Sequence, residues 1–144
     1  MSHAREMLDL APTPMLLGAE EVAAAIDACA DCEQSCSSCA DLSLAEDDVA
    51  TLSTCVALCV ECADICGTTS RTLSRPVRAD RLVVHRILQA CVRSCELSAE
   101  ECARHAAHHR HCAICEQVCR ACEKACSELL EAEAFEELQK LAGG

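Results

Sequence analysis

The sequence contains no tryptophan, no tyrosine and a single phenylalanine. Aromatic rings bury the most apolar area per side chain, so a core in a chain of 144 residues normally uses several. Something else must fill this one. Helix breakers are also scarce, with three prolines and four glycines. Positive charge is in deficit: 24 acidic against 12 basic side chains give a net charge of −12. That balance disfavours binding to nucleic acid and anionic membrane surfaces, both of which select basic patches. It suits a solvated acidic surface and the attraction of cations. No unbroken apolar run approaches the roughly 20 residues of a membrane span. The opening segment MSHAREMLDLAPTPMLLGAEE carries Arg5, Glu6 and Asp9 and no continuous apolar stretch. It does not read as a signal peptide. The expected setting is a reducing cytoplasm, where thiols stay free and clustered cysteines bind metal or do redox chemistry.

What the chain has instead is cysteine, 16 residues of it. The plainest case is HCAICEQVCRACEKAC, with Cys112, Cys115, Cys119, Cys122 and Cys126 spaced three, four, three, four. Residues three and four apart share one face of an α-helix, so these thiols form a single stripe. Glu116, Gln117, Arg120, Glu123 and Lys124 lie between them and suit a wet face. The device occurs three more times. Cys29, Cys32, Cys36 and Cys39 predict a helix over residues 19 to 42, with Val22 and Ala25 continuing the stripe. Cys55, Cys59, Cys62 and Cys66 predict one over residues 45 to 73, with Ser43 and Glu46 as a capping box at its start. Val84, Leu88, Cys91, Cys95, Ser98, Cys102, His105 and His109 form the stripe of a third. It is expected to begin at Pro76, a residue suited to a first helical turn. Ser98 takes a slot where the pattern would place a thiol. The fourth helix runs to about residue 141, and its stripe extends back to His108.

Four amphipathic helices with short connections predict an all-α, up-down-up-down four-helix bundle with a cysteine-lined core. Residues 1–18 read as a leader carrying a short helix, stopped by Pro12 and Pro14, that packs on the body. Residues 19–144 read as the bundle. In this topology Cys39, Cys55, Cys102 and Cys112 fall at one level, and Cys29, Cys66, Cys91 and Cys126 at the other. Val22, Leu73, Val84, Leu88 and Leu129 then cap the second end. The histidine-rich link HAAHHRH rings the first.

Cysteine can act as a small buried hydrophobe, but sixteen on four seams would leave an underpacked core. Wholesale disulfide pairing fits poorly with a cytoplasmic setting. A nearly pure thiolate donor set selects soft ions, namely Cu(I), Zn(II) or iron–sulfur clusters. Zinc would need four-way convergence in tetrahedra, and iron–sulfur clusters need room for sulfide. Two-coordinate Cu(I) spans about 4.5 Å between sulfurs if its bonds match the zinc–thiolate length. That is close to the reach of an i,i+4 pair. The candidate CxxxC chelates are Cys32/Cys36, Cys55/Cys59, Cys62/Cys66, Cys91/Cys95, Cys115/Cys119 and Cys122/Cys126. A structural or zinc-binding bundle is the alternative. An enzyme fits less well: a di-iron bundle needs Glu-x-x-His on inward faces, and no Glu has a His three residues later.

The repeated CxxxC and CxxC motifs on four helices, with histidines at one link, resemble the bacterial four-helix-bundle copper storage proteins, and in particular their cytosolic branch. The resemblance covers nearly the whole chain. It implies a tube of many Cu(I) ions held by the sixteen cysteines, loaded through one polar end, in bundles often assembled as homotetramers. His105, His108 and His109 stand where secreted relatives place methionines, and are the expected entrance ligands. His111 is expected to point off the seam, and His3 and His85 to be bystanders. Ser98 departs from complete seam filling, so His105 or another helix would complete the site around Cys102. The expected function is cytosolic storage of Cu(I), without catalysis, supplied by a copper chaperone or a small-thiol donor.

Overall fold

The computed structural model describes residues 2–143. A short helix α1 (Ala4–Leu8) precedes four long ones: α2 (Ala19–Leu44), α3 (Ser53–Leu73), α4 (Arg81–His105) and α5 (Arg110–Gly143). A 3-10 turn, Val49–Leu52, leads into α3. There is no strand among the described residues. Each long helix packs beside its chain neighbour, and α5 returns to lie against α2. The four thus form a closed up-down-up-down ring. His109 Nε2 lies 2.9 Å from Asp48 Oδ2, which places the α2–α3 and α4–α5 links at the same end.

Three helix boundaries differ from the sequence expectation. Ser43 is not an N-cap: it sits in the last turn of α2, buried, with no partner for its hydroxyl among the described residues. Residues 45–48 form a turn instead, with the Ala45 and Glu46 N–H groups bonding back to Leu42 and Ser43. Aspartates at 47 and 48 favour such turns over helix interiors. Pro76 does not open α4 either; its carbonyl accepts from the Ala79 N–H in the link. Asp80 opens the helix, its Oδ1 accepting from the Val83 N–H at 3.0 Å. An aspartate side chain satisfies one of the four orphan donors at a helix start, and residue 80 offers it. Asp80→Ala is expected to lower stability by about 1 kcal/mol, read as a shift of the denaturant midpoint with an unchanged slope. An unshifted midpoint would show the cap to be idle.

Every cysteine faces the bundle axis, and none is more than 1% exposed. Val22, Leu73, Leu88 and Leu129 close the tube beyond Cys29, Cys91 and Cys126, and Val84 packs against them. The leader adds Leu8 and Leu17, both buried. Apolar side chains seal this end, with Arg81, His85 and Glu133 beside them. On length and composition the Val49–Leu73 stretch is apolar enough to cross a membrane, contrary to the expectation that no run would approach that length. Its apolarity is partly cysteine, and Leu52, Cys55, Cys59, Cys62, Ala63, Cys66 and Leu73 are spent on the core.

Candidate metal centre

The thiols meet across the axis as well as along each helix. At the closed end Cys29 Sγ lies 3.9 Å from Cys91, 3.6 Å from Cys126 and 3.6 Å from Cys122. Cys66 joins this level through Cys91 at 3.8 Å. One turn on, Cys32 touches Cys36 and Cys62 at 3.8 Å and Cys119 at 3.7 Å. Towards the other end Cys55 and Cys59 both lie 3.8 Å from Cys102, and Cys39 lies 3.9 Å from Cys112. Both levels laid out from the sequence register are therefore found. Among the described residues, groups of four cysteines bring their sulfurs within 4.8 Å of one another, including Cys29/Cys91/Cys122/Cys126, Cys32/Cys66/Cys95/Cys122, Cys32/Cys36/Cys62/Cys119 and Cys39/Cys59/Cys102/Cys115. Other helices surround Cys102 with Cys39, Cys55, Cys59 and Cys115. Ser98 occupies its own slot in the tube, fully buried.

The open end is built from histidines and carboxylates. His111 does not point off the seam. Its Nδ1 lies 3.4 Å from Cys39 Sγ and 3.5 Å from Cys112 Sγ, and the three form a further candidate ligand group. Helical side chains lean towards the N-terminus of their helix. In the first turn of α5 that lean carries the ring over the tube. Adjacency to Cys112 at a helix start was the signal for it. Glu46 Oε1 holds the other nitrogen at 3.2 Å. His109 sits between Asp48 and Glu46, 3.5 Å from the latter. His105 Nε2 is 3.7 Å from Glu101 Oε2. His108 is exposed on the rim. At the sealed end His85 pairs with Glu133 at 3.0 Å, and His3 pairs with Glu6 on the surface. The acidic residues Glu46 and Asp48 were not legible as site residues, because only the assembled links bring them to His109 and His111, whereas Glu101 reaches His105 one turn along α4.

Contacts between thiols push individual groups in opposite directions along the tube: hydrogen bonds from Cys119, Cys115 and Cys126 hold Cys62, Cys119 and Cys122 down in turn. Burial disfavours a charged His111, but hydrogen bonding to Cys39 and the Glu46 carboxylate outweigh it and raise its pKa. Hydrogen bonds from Cys102, Cys115 and Cys55 hold the Cys39 thiol far below its usual range. Inside, hydrogen bonding to Cys122 and then burial push Cys29 and Cys95 up. Contact with Cys102 does the same to Cys115. Such thiols keep their protons at neutral pH, and metal must displace them. Cu(I) loading in unbuffered solution near pH 7 is expected to release protons from the raised thiols it engages, and affinity to weaken as pH falls. Loading without proton uptake by a pH-stat would mean the thiols are not the ligands.

The fold and this donor set define a class: helical bundles that sequester soft metal ions in a thiol-lined interior. The copper storage protein family matches over residues 18–131, and the chain belongs to that family. Among solved structures it is similar to the copper storage protein Ccsp from Streptomyces lividans loaded with 10 copper equivalents. That likeness has a TM-score of 0.86 and 41% identity, covering 90% of this chain and 98% of that one. It is also similar to a cytosolic copper storage protein from the same organism carrying five coppers. There the TM-score is 0.77 and the identity 45%, over 78% and 93% of the two chains. The uncharacterized cysteine-rich protein YhjQ of Bacillus subtilis (strain 168) is 33% identical over 106 residues, which span 74% of this chain and 93% of YhjQ.

Proposed function

We propose that this protein stores many Cu(I) ions in the cytosol, bound by its sixteen cysteine thiolates inside the bundle, and that it catalyses no reaction. One observation carries the reading: all sixteen thiols are buried, unpaired by disulfides and each within contact distance of another in a single tube. A soft, electron-rich donor set suits Cu(I), and shared thiolates let ions sit in adjacent sites. Copper enters at the polar end, where His105, His109 and His111 stand under an acidic rim and His108 lies outermost. Carboxylates there raise the local concentration of cations. A chaperone or small-thiol complex delivers the ion by exchanging its ligands for those of the entrance. The leader, residues 1–18, serves to close the opposite end of the bundle formed by residues 19–144. Assembly into homotetramers is part of the same reading, supported by apolar side chains left exposed on the outer surface, Leu44 and Val60 among them.

The test is an anaerobic titration of reduced, metal-free protein with Cu(I) against a chromogenic chelator, followed by metal analysis after gel filtration. Retention of ions on the order of one per cysteine is expected. Retention of only a few, or preferential retention of zinc at about one per four thiols, would replace storage with a structural metal site.

A further inference from the structure

Ser98 interrupts the thiol lattice. On α2, α3 and α5 no two successive seam cysteines are more than four residues apart. On α4 the step from Cys95 to Cys102 is seven residues, about 10 Å of helix rise. Two-coordinate Cu(I) bridges only about 4.5 Å between sulfurs. The α4 row therefore cannot pass an ion along itself at this point. The residue in the gap is fully buried, and its Oγ lies 3.5 Å from Cys119, 3.8 Å from Cys59 and 3.9 Å from Cys36. A neutral hydroxyl is a hard, weak donor towards Cu(I), unlike the thiolates around it.

The sulfur contacts show what this gap does. Cys39, Cys55, Cys59, Cys102, Cys112 and Cys115 form a set towards the open end, joined by contacts such as Cys55–Cys102, Cys59–Cys102, Cys59–Cys115 and Cys39–Cys112. Cys29, Cys32, Cys62, Cys66, Cys91, Cys95, Cys122 and Cys126 form a set towards the sealed end, joined by contacts such as Cys62–Cys95, Cys66–Cys95 and Cys29–Cys126. The contacts that join the two sets pass through Cys36 and Cys119. Cys36 lies 3.7 Å from Cys115 and 3.8 Å from Cys32. Cys119 lies 3.9 Å from Cys115 and 3.7 Å from Cys32. Ser98 touches both of these bridging thiols.

We propose that Ser98 divides the store into two compartments, an outer one of six thiols that exchanges copper readily and an inner one of eight that exchanges it slowly. Traffic between them is confined to Cys36 and Cys119. This deepens the storage reading and rests on it. The hydroxyl sets the boundary by being a non-ligand at a position where every other seam has a thiol.

The experiment is release of Cu(I) from fully loaded protein into excess chelator under anaerobic conditions, followed by the absorbance of the chelator complex. The natural sequence should release in two phases, the faster with the smaller amplitude. Ser98→Cys closes the gap, and should merge the phases and raise capacity by about one ion. Ser98→Ala keeps a non-ligand there and should retain both phases. The double variant Cys95→Ser with Ser98→Cys keeps sixteen thiols but moves the gap one turn deeper. Its fast amplitude should grow while total capacity stays unchanged, a shift that a general packing defect would not give. A single release phase from the natural sequence at high loading would overturn the two-compartment proposal and leave storage intact. Unchanged amplitudes in the double variant would also overturn it. Failure of the natural sequence to load many ions would instead sink the storage reading itself.

Discussion

Cu(I)-loaded protein is expected to unfold tens of degrees above the metal-free protein. Cysteine is a small side chain, and a core of sixteen thiols in place of leucines and aromatic rings buries little apolar area for its length. The empty bundle therefore has a weak driving force at its centre. Its helices are held by the leucines at the sealed end and by the residues flanking each seam, Val56, Ile65, Val92 and Val118 among them. An ion that binds only the folded state adds about 4 kcal/mol per independent site at a thousandfold excess over its dissociation constant. For a chain near this size each kcal/mol moves the midpoint by roughly 2–4 °C, so a handful of occupied sites suffices. Far-ultraviolet circular dichroism, recorded anaerobically on heating with and without Cu(I), measures the effect. A rise of only a few degrees would place the copper outside the core.

Leu129→Ala is expected to abolish the cooperative fold of the metal-free protein, or nearly so, while leaving the loaded protein folded. Leu129 and Leu88 are the large, fully buried aliphatic side chains that close the thiol tube. Truncating such a residue removes its transfer free energy and leaves a cavity, at a cost of about 2–5 kcal/mol. That is a large share of the 5–15 kcal/mol available to an ordinary domain, and this core starts lower. Metal–thiolate bonds cross-link all four helices and substitute for the missing side chain. Denaturant unfolding of the variant before and after loading gives the comparison. If the empty variant were as stable as its parent, the sealed end would not be the anchor described here.

The fold was legible because cysteine marks the helical period as plainly as leucine would, and four stripes of matched length leave few registers open. The levels Cys29/Cys91/Cys126 and Cys39/Cys112 follow from that period alone. Helix boundaries were less legible, because they are decided by competition among local caps. Ser43 looked like a cap but was absorbed into α2, and Asp80 outcompeted Pro76 as the start of α4. The thiol lining and the histidine-rich end followed from spacing, whereas the detailed arrangement of the entrance did not. The His111 ring reaches the tube through the lean of side chains in a first helical turn. Glu46 and Asp48 reach the histidines only once two links meet in space. A stripe projects one face at a time and carries no record of what two loops do together.

The sulfurs stand 3.5–4.0 Å apart where they touch. That is ordinary van der Waals contact, whereas a linear S–Cu–S unit needs about 4.5 Å. Each ion therefore enters as a wedge. Either thiol rotamers turn or facing helices part by roughly half an ångström, and the strain falls on neighbouring rungs because packed cores yield little. A rung beside an occupied one is already opened, so the next ion does less mechanical work. Filling then proceeds as a spreading front from the first site taken. The bundle then behaves as a spring that each ion lengthens.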